Sequence, residues 1–361
     1  MKNKHYDETI NVKRFSAVLF IRAAILLQLI MSFEISFSQS LHFSQFFNSP
    51  LTVNPANTGF MPDADYRLGA NYRNQWSSVM SLPYTTISVF GDAQVLRNKL
   101  ENGWLGLGGI ILKDVAGSGK LSTTDVYTSV AYHQMLGYSS LLSLGFNAGW
   151  VNKRINSSEL RFPDQFDGKF FSSKLPSEVV LDAYSVSYLD LKIGMNYAYF
   201  PTDKIYINGG FAAWHVNRPR ESFFSNDITG TVRRLPRRYI GFLNGSIKLN
   251  EQVIVNPMVY YTRQTTASDF TAGANLQYNL GNGGETRLIA GLYYRYNDAA
   301  IPMIGLFIKN IRVYFTYDAT ISSLKNYNGS RGAWEASLLN YGTYNTYNGN
   351  KRQSLCPVFK Y

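Results

Sequence analysis

The sequence predicts an all-β protein, a transmembrane antiparallel β-barrel of about fourteen strands. Three observations predict it: long segments that alternate apolar and polar residues, connections that alternate between long and short, and an unusual composition. Aromatic residues make up 15% and charged residues 16% of the 361 residues. A soluble domain carries about 25% charged residues, so this chain is poor in charge and rich in rings.

The alternation is clearest in the stretch YLDLKIGMNYAY, Tyr188 to Tyr199. Apolar and aromatic side chains occupy one parity, whereas Asp190, Lys192 and Asn196 occupy the other. A period of two residues is the signature of an extended strand with two unlike faces. Because a charge at the bilayer midplane costs about 2–4 kcal/mol, we expect the polar face to line a hydrated lumen and the apolar face to contact lipid.

The same pattern recurs along the chain and predicts fourteen strands, most of them long enough to cross a bilayer, which takes about 9–11 tilted residues. One segment, WLGLGGIIL from Trp104, has apolar residues or Gly on both parities, so its two faces stay unassigned. The predicted strands are 65–74, 84–96, 104–114, 122–134, 140–152, 187–200, 205–216, 237–249, 252–263, 269–280, 284–297, 300–310, 311–319 and 330–341.

The connections support the same fold. Outer-membrane barrels place long loops outside the cell and short turns in the periplasm. With 75–83 as the first outer loop, the two longest connections, 153–186 and 217–236, both fall on the outer side, and the short connections 201–204 and 250–251 fall inside. A soluble β-sandwich does not predict this asymmetry.

Four regions are predicted from composition. Residues 1–38 have a basic start, a short apolar core and small residues before Gln39, as a cleaved signal peptide does. The apolar run is shorter than the roughly 20 residues of a membrane anchor, so we expect export through this signal to the outer membrane. Residues 39–64 are predicted to be a periplasmic or plug segment, residues 65–341 the barrel, and residues 342–361 a periplasmic tail.

Chemistry-bearing side chains are not arranged for catalysis or metal binding. His133 and His215 lack metal-ligand spacing, and no nucleophile motif is present, so we expect no enzyme, cofactor or metal. The formal net charge of +11, or about +9 after the +2 of residues 1–38 is subtracted, favours contact of the exported chain with outer-membrane lipids and anionic sugars over nucleic acid. Charged residues on the polar parity are expected to pair inside the lumen. The expected pairs draw on Asp92, Asp190, Asp318 and Glu335 with Arg67, Arg73, Lys192 and Arg295.

The tyrosines near strand ends have two interpretations. Tyr is satisfied at a membrane interface, where its ring is apolar and its hydroxyl is wet, so an aromatic girdle is favoured. The alternative is a set of sugar-stacking residues in a binding channel. The expected girdle residues are Tyr66, Tyr84, Tyr132, Tyr197, Tyr199, Tyr239 and Tyr341.

Several irregular motifs follow one another in a fixed order along nearly the whole mature chain. They are HFSQFFNSPLTVNPANTG (42–59), NYRNQW (71–76), LRFPDQFDG (160–168), HVNRPRESF (215–223), YRYNDAAIPMIG (294–305), YDATISSL (317–324) and WEASL (334–338). Near the end of the chain, Cys356-Pro357 is followed by the aromatic Phe359. In this combination the motifs resemble those of the PorP/SprF family, outer-membrane proteins of type IX secretion and gliding systems.

The resemblance implies a barrel without catalysis that cooperates with the secretion machinery. Some family members link to periplasmic components of the motor complex. Others pair with an adhesin-like secreted protein, aid its export and hold its C-terminal sorting domain at the cell surface. The alternative function is a channel for diffusion or uptake of a small solute, because a barrel of this size encloses a lumen that is filled, plugged or conducting.

The two long outer connections are the predicted partner-binding region, because exposed aromatic and Arg side chains are enriched in protein–protein contacts. The open alternative is that these side chains pack back into the barrel mouth. The predicted contact residues are Phe162, Phe166, Phe170, Arg218, Arg220, Phe223, Phe224, Arg233 and Arg234.

Overall fold

In the part of the chain that the structure describes, fourteen antiparallel strands close into one barrel. Each strand pairs with its neighbours in sequence, and the first strand pairs with the last, with Tyr66 opposite Gly342 and Gln75 opposite Ala333. The structure is a computed structural model. The described residues are 43–61, 64–97, 99–100, 102–117, 120–156, 165–166, 168, 170, 175, 184–223, 234–281 and 285–344.

Every predicted strand is present, and its boundaries lie within two residues of the predicted ones. The predicted signal peptide, residues 1–38, lies outside the described residues, as does the tail beyond residue 344 with Cys356. The strands are β1 (Tyr66–Gln75), β2 (Tyr84–Val95), β3 (Gly103–Ala116), β4 (Leu121–Met135), β5 (Ser140–Arg154), β6 (Ser185–Thr202), β7 (Ile205–Trp214), β8 (Arg238–Lys248), β9 (Val253–Gln264), β10 (Ala267–Asn279), β11 (Thr286–Arg295), β12 (Ala299–Ile308), β13 (Ile311–Thr320) and β14 (Arg331–Gly342).

The barrel is inside-out relative to a soluble protein. In β6, Asp190 and Asn196 are fully buried, whereas Leu189 and Met195 are 58% and 49% exposed. Apolar side chains face outward and polar ones face inward because the outer surface of the barrel is in contact with the hydrocarbon of the membrane. The prediction of a transmembrane β-barrel of about fourteen strands is therefore confirmed.

The faces of β3, which the sequence left unassigned, are separated in the structure. Trp104, Ile110 and Leu112 are buried and point inward, whereas Leu107 and Ile111 are exposed and point outward. Both faces of this strand are apolar because the inward face packs against other apolar side chains of the interior.

The two ends of the barrel differ in their connections. Connections after odd-numbered strands include the two longest, 155–184 and 215–237, and the one that holds the short helix α2 (Lys325–Asn328). We call this side the long-loop end and the opposite side the short-turn end, where 203–204 and 309–310 are the tightest turns. Among the described residues, no helix is long and apolar enough to cross a membrane.

Residues 43–61, here called the lumen segment, lie inside the barrel against its inward-facing side chains. The segment consists of 3₁₀ turns at Phe46–Asn48 and Pro55–Asn57 around the helix α1 (Pro50–Val53). Pro50 and Pro55 suit the first position of α1 and of the second 3₁₀ turn, because the φ of Pro is fixed and its missing N–H is not needed there. Among the buried side chains of the segment, Leu51 packs in the core cluster that also contains residues of β2, β3 and β11.

The expected tyrosine girdle holds at some positions, but Tyr341 and Tyr84 lie on the inward parity of their strands. Tyr341 shares the inward parity of β14, with the Arg312 and Arg67 guanidinium carbons 4.1 and 6.0 Å from its ring centre, so it is not a girdle residue. Its ring faces inward because β14 continues without a break to Gly342, so Tyr341 keeps the same face as the inward residues before it. Tyr84 has the parity of inward Thr86 and is half-buried. The tyrosines that face outward and are exposed are Tyr132, Tyr197, Tyr199 and Tyr239.

Candidate partner-binding face and lumen network

Four exposed arginines lie together at the two ends of the 215–237 connection. We call Arg218, Arg220, Arg234 and Arg237 the arginine group. An antiparallel bridge joins Arg220 to Arg234, and the Arg234 guanidinium donates to the Arg218 carbonyl oxygen at 3.3 Å. The bridge brings two segments that are separated in sequence into one cationic surface at the long-loop end.

The first part of this connection continues along the edge of β6. The Val216 N–H donates to the Leu191 carbonyl at 3.0 Å, and the Asn217 side chain donates to the Leu189 carbonyl at 2.7 Å. Arg218 then turns the chain with a left-handed φ of 46°. These backbone-directed bonds give the arginines a defined position on the barrel rim.

Glu221 ties the same connection to two further strands. Its carboxylate pairs with the Lys153 ammonium of β5 and accepts a hydrogen bond from the Tyr188 hydroxyl of β6 at 2.9 Å. Both partners are partly buried, so the contacts are less screened than those of a fully exposed pair. The carboxylate is held by the rim, and the arginines next to it in sequence stay exposed.

The other predicted contact residues are distributed over the two connections. Phe166 and Phe170 are 55% and 69% exposed, and Phe223 is half-buried beside Glu221. The structure brings together Arg218, Arg220 and Arg234. Phe162, Phe224 and Arg233 lie outside the described residues.

A buried ionic cluster occupies the lumen near the long-loop end. Arg73 forms ion pairs with Asp318 at 2.9 Å and with Glu335 at 3.1 Å, and Arg295 pairs with Asp318 at 3.1 Å. Ser44 of the lumen segment donates its hydroxyl to Asp318 at 2.7 Å and its N–H to Glu335 at 2.8 Å. The predicted pairing of inward charges is confirmed here, with Ser44 at the centre of the cluster.

A second ionic contact lies near the short-turn end. Arg67 contacts Asp92 through two parallel hydrogen bonds, at 2.9 and 2.7 Å. Asp92 also accepts the Gly59 N–H at 2.8 Å. A bidentate Arg–carboxylate pair is strong and geometrically specific, so it fixes the place where the lumen segment ends.

Lys192 does not pair as predicted. Its ammonium lies 3.5 Å from the Tyr127 ring centre and 3.6 Å from that of Trp214, between two aromatic faces. Asp190 instead pairs with His215 at 2.8 Å and accepts from the Tyr127 hydroxyl at 2.7 Å. The aromatic contacts replace a carboxylate because a cation is attracted to the electron-rich face of a ring.

Sequence reasoning named residues 39–64 only as a periplasmic or plug segment and singled out neither its individual side chains nor those around it. Phe43, Phe46, Trp214, Arg238 and Tyr260 line a small recess between the lumen segment and β7–β9. The Phe46 and Tyr260 rings stack with centres 5.0 Å apart. The sequence shows a segment rich in Phe, Pro and Asn at these positions. Its location inside the barrel depends on contacts with distant strands and cannot be predicted from neighbouring residues.

The histidines and several carboxylates of the described residues serve packing and ion pairing. Within the described part of the chain, no group of three or more His, Cys, Asp or Glu side chains is placed to hold a metal ion. His133 is buried between the Ser143 hydroxyl, 2.7 Å from its Nδ1, and the Thr58 carbonyl, 2.8 Å from its Nε2. Both ring nitrogens of this histidine therefore serve the packing of the lumen segment.

The model of one protein family, described as type IX secretion system membrane protein PorP/SprF, matches residues 35–339. The chain belongs to the PorP/SprF family. The match spans the lumen segment and thirteen complete strands, with most of β14. This PorP/SprF protein is thus an outer-membrane β-barrel of the type IX secretion system. A comparison with curated proteins finds no match.

Solved structures similar to this PorP/SprF barrel include two toluene transporters and a porin. TodX of Pseudomonas putida has a TM-score of 0.47 and 12% identity, over 82% of this chain and 94% of that one. TbuX of Ralstonia pickettii has a TM-score of 0.46 and 11% identity, over 81% and 94%. The KdgM porin in complex with disordered oligogalacturonate has a TM-score of 0.35 and 7% identity, over 76% and 98%. At such identities the likeness is one of architecture.

Proposed function

We propose that this protein is a non-enzymatic partner of type IX secretion that helps to export a secreted protein and holds that protein at the cell surface. The partner is an adhesin-like protein that carries a C-terminal sorting domain. Family membership supports the secretion role in general. The contact surface is the long-loop end, and the chain reaches that surface after export through residues 1–38.

The observation that carries the proposal is the arginine group. Arginine is enriched among the residues that dominate protein–protein binding, because its guanidinium presents several donors in a fixed plane. Here the backbones of Arg220 and Arg234 pair in the bridge and the Arg234 guanidinium donates to the Arg218 carbonyl oxygen, so less conformational entropy is lost when a partner binds. A cationic surface of this kind fits an acidic patch on the partner.

Charge reversal of two arginines tests the proposal. We expect R218E/R234E to reduce the amount of secreted sorting-domain protein at the cell surface about tenfold or more, since a hot-spot arginine contributes about 2 kcal/mol and 1.4 kcal/mol is a factor of ten. Surface biotinylation of intact cells followed by quantitative mass spectrometry measures the loss.

The matched control is K204E/K309E, which reverses two exposed lysines at the short-turn end. This variant should leave surface display at the wild-type level while the barrel stays folded. A loss in the control variant with normal display in R218E/R234E would instead favour the family's other role, a link to periplasmic motor components. Normal display in both would contradict a partner role for either end.

The alternative function, a channel for a small solute, requires a continuous path through the barrel. In the described structure the lumen segment lies across that path and is hydrogen-bonded to both ends of it. We therefore favour the secretion partner.

A further inference from the structure

The lumen segment fits the barrel as a permanent part of it. Almost all of its residues are buried, including the polar Gln45, Asn54 and Thr58, which are 0% exposed. Burial of a polar group costs free energy unless the group forms a hydrogen bond inside the protein. Gln45 donates to the Thr316 hydroxyl at 3.1 Å, and Asn54 donates to the Met195 carbonyl at 2.8 Å.

Four strands lack a side chain at the points where the lumen segment passes. A Cβ on Gly106 would lie 1.9 Å from the Thr58 carbonyl oxygen, and a Cβ on Gly194 would lie 1.9 Å from Asn54 Oδ1. A Cβ on Gly145 would lie 2.3 Å from the Ala56 nitrogen. A Cβ on Gly210 would lie 2.7 Å from Asn54 Nδ2. The inward face of β3, β5, β6 and β7 is therefore shaped as a groove for residues 54–59.

The lumen segment has a direction. Ser44 and Gln45 donate their N–H groups to Glu335, at 2.8 and 3.0 Å, and Glu335 lies in the half of β14 that follows the α2 connection at the long-loop end. At the other extremity, Gln94 near the end of β2 donates to the Met61 carbonyl at 2.6 Å. The Trp104 indole, at the start of β3, donates to the Gly59 carbonyl at 3.0 Å. Both of these contacts are at the short-turn end.

From these contacts we propose that residues 43–61 form a resident seal of the barrel. The chain enters the lumen from the long-loop end at Phe43, runs down the glycine groove and leaves toward the short-turn end at Met61. The lumen is closed to solutes, and Phe43 lies on the same side of the membrane as the arginine group. This proposal is independent of the secretion role, because it concerns the closure of the barrel and the path of its own chain.

Conductance tests the closure. Purified full-length protein in a planar lipid bilayer should show no steady openings, whereas a variant that lacks residues 43–61 should show them. Heat-modifiable migration on a gel verifies that each variant is folded. Steady conductance of the wild type, equal to that of the deletion variant, would overturn the proposal, as would a folded deletion variant that stays silent.

A substitution variant answers the same question if the deletion variant does not fold. G145L/G194L keeps the whole lumen segment and adds two side chains in the groove. These side chains should displace residues 54–56 and open the lumen. The control is G241L, on the outward parity of β8, where a Cβ meets no atom within 4 Å. G241L should stay silent. A folded, silent G145L/G194L would count against the proposal.

Epitope access tests the direction and needs no change in the lumen. A short epitope inserted before Phe43 should bind antibody on intact cells. The same epitope at Tyr327, 85% exposed in the β13–β14 connection, should do so too. At Tyr138, 97% exposed in the β4–β5 turn, it should bind only after the outer membrane is permeabilised. An epitope before Phe43 that behaves like the one at Tyr138 would overturn the proposed path.

Discussion

At the scale of single residues, charge is tolerated in this barrel because nearly every buried charge has a fixed partner. Arg67 and Asp92 are almost fully buried and share two hydrogen bonds. Removal of one member of a buried pair leaves an uncompensated charge, which costs much more than the pair itself contributes. The inward charges are thus constraints on the structure as well as a consequence of the hydrated lumen.

We expect D92A to lower the free energy of unfolding by about 3–5 kcal/mol, because it leaves the Arg67 guanidinium and the Gly59 N–H without their carboxylate. Urea unfolding in detergent micelles, followed by tryptophan fluorescence, measures the change. R67M/D92L should recover part of the loss, since it removes both charges. D203A, at an exposed turn position, is the control and should stay within about 0.5 kcal/mol of wild type. Equal losses in D92A and D203A would contradict this account.

At the scale of a strand, the two faces of β6 have opposite solvents. Ile193, near the middle of the strand, is 47% exposed, and Tyr199, near its short-turn end, is 42% exposed. Both point outward, but the first faces the hydrocarbon core and the second lies near the interface, where an amphipathic ring is suited. Depth in the membrane therefore decides the cost of a substitution on this face.

I193R is predicted to lower the free energy of unfolding by about 2–4 kcal/mol, whereas Y199R should cost about 0–1 kcal/mol, because an arginine near the interface reaches water. Reversible unfolding from liposomes measures both. Equal costs at the two positions would show that the outward face of β6 does not span a hydrocarbon layer.

At the scale of the whole molecule, the lumen segment joins strands that are far apart in sequence. Ser44 contacts Glu335 of β14 and Asp318 of β13, while Arg73 of β1 contacts the same two carboxylates. β1 and β14 are the strands whose pairing closes the barrel. The segment thus reinforces the closing seam from inside, in addition to filling the lumen.

This arrangement predicts slow amide exchange in the lumen segment. Its N–H groups at Ser44, Gln45, Ala56 and Gly59 are buried and hydrogen-bonded, so they should exchange at the rate of the strands, through unfolding of the barrel. Hydrogen–deuterium exchange with mass spectrometry measures this on peptides that cover 43–61. The exposed turn at Tyr138 should exchange within seconds, and equally fast exchange of 43–61 would contradict a resident segment.

The strands were predictable because their evidence is local. The alternation around Asp190, Lys192 and Asn196 identifies a strand and assigns its two faces without knowledge of the neighbours. The ion pairs between inward charges were predictable because these side chains share one interior. The contacts of Lys192 were not predictable, because two aromatic rings from β4 and β7 approach its ammonium group. The inward orientation of Tyr341 was missed because the preference of tyrosine for a membrane interface says nothing about which face of the strand the side chain lies on.

By itself, the sequence determined that this chain is a membrane barrel, where its strands begin and end, and which family it resembles, since periodicity and motif order are properties of neighbouring residues. Only the tertiary structure decided that residues 43–61 lie in the lumen, that Arg220 meets Arg234, and how the faces of β3 are oriented. Ser44 and Glu335 are 291 residues apart, and a contact over that distance depends on closure of the whole sheet. No local pattern carries that information.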